Sequence, residues 1–181
     1  MNVAGFLGLV ALLIGVSLAP VHADKRGCAK LYTNAPRTLG GFSLKEGRDL
    51  ERRQKGAGYG LNYGNGTKAR LTVFFFDDQK RRLDSTDAAE RAVVEGFVIA
   101  RAMEVSGIPE ISVSMDTGEN FGSGGFFDAE IRAPSGTPRA QVVSVAAINN
   151  CYAKIRFSPT GSSLSAFKRI QKDLARYLAS R

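Results

Sequence analysis

Between Ile111 and Phe157 apolar residues return at every second position in four successive segments, and this pattern constrains the chain more than any other. The segments are Ile111/Val113/Met115, Phe127/Ala129/Ile131, Gln141 to Ile148, and Cys151/Ala153/Ile155/Phe157. A period of two sets one group of side chains on one face of a pleated strand. Turn-forming residues separate the segments at Gly118 to Gly125, Pro134 to Pro138 and Asn149-Asn150. Strands joined by connections this short pair antiparallel, so the C-terminal half is expected to form a meander.

The N-terminal half repeats the pattern with weaker punctuation. Leu39 to Leu44 reads as a short strand, and Glu46 to Lys55 as an exposed turn or single helical turn. Tyr59, Leu61 and Tyr63 then alternate with Gly60 and Asn62, and Gly64-Asn65-Gly66 supplies a turn before Thr67 to Phe76 returns. On that return Leu71, Val73 and Phe75 share one face while Thr72, Phe74 and Phe76 share the other, which predicts cover on both sides at its far end.

Two segments have helical spacing. Asp87-Ala-Ala-Glu90 has the form of a capping box, and Ala89, Ala92, Val93, Gly96, Phe97, Ala100 and Met103 follow it in a stripe about 140° wide. That helix is expected to end near Gly107-Ile-Pro109. The second runs from Ser163 to Ala179 with Phe167, Ile170, Leu174, Tyr177 and Leu178 on one side. The fold expected is therefore α+β: a mostly antiparallel sheet of about six strands with both helices packed on it.

Met1 to Ala23 contains no charged side chain and centres on a short apolar run, Phe6 to Leu18, that ends in Pro20 and Val21-His-Ala23. This is the form of a signal peptide, with cleavage expected between Ala23 and Asp24. The run is short for a membrane span, which needs about 20 residues. Lys25-Arg26-Gly27 argues against lipidation of Cys28, since the cations stand where a lipobox carries apolar and small residues. Taking 23 residues from 181 leaves 158, enough for one domain over residues 39–181 preceded by a loosely held basic arm over residues 24–38. Localisation is then periplasmic or secreted, with no membrane-spanning segment in the mature chain. Cys28 and Cys151 are the two cysteines, and in an oxidising compartment an isolated pair points to a disulfide.

The formal charge of +8 lies wholly in the mature part, so anionic partners suit it. Lys168, Lys172 and Arg176 recur every four residues on the terminal helix with Arg169 beside them, opposite the apolar side. Lys154 and Arg156 share a strand face with Tyr152, an arrangement also suited to nucleic acid, although the exported location argues against that partner. A basic amphipathic helix can also rest on an anionic membrane surface. The single histidine, His22, leaves with the signal segment, which excludes histidine-based triads and zinc sites that need imidazole. No nucleotide-binding loop is present: Gly58 to Gly64 has one residue too many and opens a strand. Asp128 and Glu130, at i and i+2 on one strand face, are the remaining acid-base pair, and a solvent-facing polar row is the plainer reading of them. No cofactor is expected.

Gly58-Tyr-Gly-Leu-Asn-Tyr63, Arg70-Leu-Thr-Val-Phe-Phe-Phe-Asp77, the long helix, and Tyr152-Ala-Lys-Ile-Arg156 before a terminal helix resemble a group of uncharacterised exported proteobacterial proteins. More distantly, the element order is similar to the α/β/α sandwich of the PsbP-like fold. The resemblance implies an accessory or binding role and transfers no functional residue. The function expected is that of an exported, non-enzymatic envelope protein that recognises an anionic partner. The alternatives are a periplasmic hydrolase using carboxylates and arginine, and a structural or stress-related protein without a small ligand.

Overall fold

The alternating segments pair into one antiparallel sheet, and two apolar cores form on its two faces. The computed structural model describes residues 26–80, 82–122, 124–134, 140–159 and 164–181. Among these residues there are eight strands and three helices. They follow one another as α1 (Arg26–Thr33), β1 (Thr38–Leu39), β2 (Phe42–Asp49), β3 (Tyr59–Gly64), β4 (Arg70–Phe76), α2 (Ser85–Val105), β5 (Ser112–Phe121), β6 (Gly124–Arg132), β7 (Ala140–Ile148), β8 (Cys151–Ser158) and α3 (Leu164–Ala179). The expected cleavage point between Ala23 and Asp24 lies outside the described residues.

The sheet order is β1-β2-β3-β4-β8-β7-β6-β5. Each half of the chain forms its own meander, and the two meet where β4 pairs with β8 from Arg70↔Ser158 to Phe76↔Tyr152. Helix α2 carries the chain from the central β4 to the far edge at β5, packing on β6 and β7 as it crosses. Asn149 and Asn150, both at positive φ, close the β7-β8 hairpin, as two-residue turns of this kind require.

Strand alternation divides the cores. Leu61, Leu71, Val73, Phe75, Ile155 and Phe157 point to the side covered by α1 and α3. Phe76, Ala129, Ile131, Val143, Val145 and Tyr152 point to the side covered by α2. The expected cover on both sides of β4 is present, since Phe75 and Phe76 are both buried.

Three expectations need correction. The sheet has eight strands instead of about six, because residues 38–49 contribute both β1 and β2. The charges of Glu46 and Arg48 disguise the latter, and they pair with each other on an open strand face. The segment read as a loosely held arm contains α1, which has Cys28 and Leu31 buried in the core and Tyr32 stacked on Tyr59. A disulfide joins Cys28 to Cys151 with a Cα separation of 5.4 Å, tying α1 to β8. Finally, α2 starts earlier and is rotated. Asp84 is its N-cap, accepting from the amides of Thr86 and Asp87 while Asp87 reaches back to the amide of Asp84. Its buried side carries Ala88, Ala92, Gly96, Ile99, Ala100 and Met103, and it leaves Val93 and Phe97 exposed. The small residues face the sheet because they let the helix axis come close to it.

Candidate functional site

Helix α3 buries the side expected of it. Phe167, Ile170, Leu174 and Leu178 are buried, and Tyr177 donates its hydroxyl proton to the Leu31 carbonyl at 2.7 Å. Its apolar face is therefore committed to the core and cannot enter a bilayer. Asp173 fixes the helix against the β1-β2 turn by accepting from the Gly40 amide at 2.9 Å, and its other oxygen pairs with Arg176 at 3.0 Å. Lys168, Arg169 and Lys172 are exposed, and among the described residues none of them has a carboxylate partner. Three exposed cations, of which Lys168 borders a cleft that carboxylates also line, thus occupy little more than one turn of a helix fixed from behind.

The other expected basic pair is not part of this surface. Lys154 and Arg156 project from the opposite face of the sheet, toward α2, as Tyr152 does. Lys154 is largely buried and donates to Glu95 at 2.8 Å, with its ammonium over the rings of Phe74 and Phe76. Burial pushes the Lys154 pKa down, and the Glu95 charge only partly offsets it. Burial alone would raise Glu95, but Lys154 and Arg91, the latter 2.9 Å away, outweigh it and hold the carboxyl low. Tyr152 is buried against Phe76. Arg156 is exposed, with its guanidinium held by the Gln141 side chain. A basic strand interleaved with an exposed aromatic is therefore not what this face presents, because sheet and helix bury the aromatic and neutralise one cation.

Asp128 and Glu130 also depart from expectation. They face α3, and with Asp116, Glu119, Lys168 and Gln171 they border a cleft of 470 Å³ between that helix and the β5-β6 edge. Glu130 is held by Arg132 at 2.8 Å. Asp128 is largely buried: its Oδ1 accepts from Ser144 Oγ at 2.6 Å and from Gln171 Nε2 at 2.8 Å. Burial raises the Asp128 pKa, the two hydrogen bonds oppose that rise, and Asp116 adds to it. Gln171 Nε2 also donates to Ser144 Oγ at 2.8 Å, while its Oε1 accepts from the Glu119 amide at 3.0 Å.

The amide of Gln171 thus serves β5, β6 and β7 together. Gly118 closes over it: a Cβ there would lie 2.8 Å from Asp128 Oδ1 and 2.9 Å from Oδ2. A carboxylate engaged from two sides and covered by backbone works as a latch between helix and sheet, and is poorly placed to meet a substrate.

Sequence reasoning passed over Ser144, Gln171 and Gly118. Two of them left a signal. Gln171 sits inside the apolar stripe of α3, and Ser144 interrupts the apolar run of β7. A polar side chain in such a place needs a buried partner. Comparison of the chain with protein-family models, curated proteins and solved structures finds no match.

Proposed function

We propose that the protein is an exported, non-enzymatic accessory protein of the cell envelope that holds an anionic partner against the basic face of α3. The observation that carries this is the exposure of Lys168, Arg169 and Lys172 without a carboxylate partner among the described residues, on a helix whose other side is fixed in the core. The disulfide accords with an oxidising compartment. Among the described residues no helix is long and apolar enough to cross a membrane. The PsbP-like likeness agrees with a binding role at the level of fold analogy alone. Lys154 leaves the set of binding residues because its charge is spent on Glu95, and Arg156 lies on the other face.

The test is capture of the partner from an envelope extract at low and high salt by the wild type and by Lys168→Glu/Lys172→Glu. Each cation near an anionic surface contributes about 1 kcal/mol, so reversing two weakens capture by roughly thirtyfold or more. High salt abolishes capture by the wild type as the screening length shrinks to about 3 Å at 1 M. Capture that survives both changes refutes the reading. A carboxylate-dependent hydrolase has one observation in its favour, the place of Asp128 in a cleft, and it requires activity that Asp128→Asn removes.

A further inference from the structure

Helix α2 is apolar on both sides. Its inner side packs on β6 and β7 through Ala88, Ala92, Gly96 and Met103. Its outer side carries Val94, Phe97, Val98 and Val105, which are 52%, 62%, 60% and 74% exposed. At 100° per residue these four fall within an arc of about 100° centred opposite the buried side, so they form one stripe down the middle of the solvent face. A helix that is apolar all round belongs in an interior, and the sheet fills only half of that role.

The charges on the stripe identify the occupant. Glu90 lies on its centre line toward the N-terminal end and Arg101 toward the C-terminal end, both exposed, with Arg101 also reaching Glu104 of its own helix at 3.0 Å. Glu90 and Arg101 stand eleven positions apart, about three helical turns. A second α2 laid antiparallel across the stripe, with the two-fold axis at the level of Glu95 and Gly96, sets Phe97 beside Val94 of the second copy. The same register sets Arg101 opposite Glu90 of the second copy at each end. Parallel packing would instead oppose Glu90 to Glu90 and Arg101 to Arg101. The stripe is thus complementary to itself in one orientation, as a two-fold contact requires.

We propose that the protein forms a two-fold dimer through the outer face of α2, with Phe97 at its centre and a Glu90-Arg101 ion pair at each end. Because α3 lies on the other face of the sheet, this dimer leaves Lys168, Arg169 and Lys172 uncovered, and it stands or falls independently of the anionic partner.

Sedimentation analysis of the exported, oxidised protein from micromolar to millimolar concentration tests it. The wild type is expected to dimerise reversibly, and Phe97→Glu, at an exposed position, to remain folded and monomeric. Glu90→Arg and Arg101→Glu are each expected to weaken the dimer by roughly tenfold or more, since reversal makes both end contacts repulsive. Mixing these two variants should restore association, because the heterodimer regains an opposite-charge pair at both ends. A wild type that stays monomeric throughout overturns the proposal. So do a dimer that survives Phe97→Glu, charge variants that mixing fails to rescue, and binding to neutral lipid vesicles that Phe97→Glu removes.

Discussion

Replacing Gly96 by alanine sets two known effects against each other at one position. Alanine favours a helix interior over glycine by about 1 kcal/mol, so helix propensity alone makes the variant more stable. The added Cβ, however, would lie 2.8 Å from the Ala129 Cβ and 3.2 Å from Val113 Cγ1. Ordinary carbon contacts fall at about 3.5 to 4.0 Å, so α2 must lift from the sheet by roughly 1 Å. Ala129 cannot turn aside, because its Cβ is fixed to a strand paired on both sides with β5 and β7. Lifting loosens Ala88, Ala92, Ile99 and Met103 together, which places the cost toward the upper part of the overpacking range of about 1 to 3 kcal/mol. The net expectation is a loss of about 1 to 2 kcal/mol, equivalent to a fall in Tm of roughly 3 to 6 °C for a domain of this size. Urea unfolding and thermal melting followed by circular dichroism measure it directly. A Gly96→Ala variant more stable than the wild type would refute the close approach of α2 to β6.

Two further outcomes test other parts of the structure. Cys28→Ala/Cys151→Ala removes a link across a sequence separation of 123, for which chain entropy gives about 5 kcal/mol; a loss of about 2 to 5 kcal/mol in urea unfolding is expected, and no loss would mean that the link is absent. Asp128→Asn keeps an oxygen that can accept from Ser144 and Gln171 but removes the buried charge. Since the folded pKa of Asp128 is raised, the wild-type carboxyl contributes stability below its unfolded pKa of about 3.9 and loses it as pH rises through the folded value. The variant should therefore gain on the wild type as pH rises above about 3.9, and a variant that loses ground to the wild type with rising pH would contradict the burial of this group.

The legible parts of the fold were those where periodicity and burial coincide. The alternation of Cys151, Ala153, Ile155 and Phe157 located β8, and the stripe from Phe167 to Leu178 located α3 with its basic face outward. Where charge and burial part company the reading failed. In β2, Glu46 and Arg48 neutralise each other on an open face, so a strand resembled a loop. In α2 valines and a phenylalanine lie outward while alanines and a glycine lie inward, so the most apolar direction is not the buried one. Lys154 has the identity of a surface cation and the position of a core residue, which only the neighbouring helix, by bringing Glu95 to it, could reveal.

The two meanders of the sheet have a consequence for how the chain reaches its final form. Within each half, every strand pairs with one close in sequence, so each half can assemble from local contacts. The seam between β4 and β8 joins residues far apart in the chain, and Cys28 and Cys151 stand one in each half. Neither half holds a partner for its own cysteine, so the link can join only one half to the other. Without β8, β4 would present Phe74, Phe75 and Phe76 along an unpaired edge. The disulfide thus fastens from one side the same two halves that the β4-β8 pairing joins, and guards that edge against exposure.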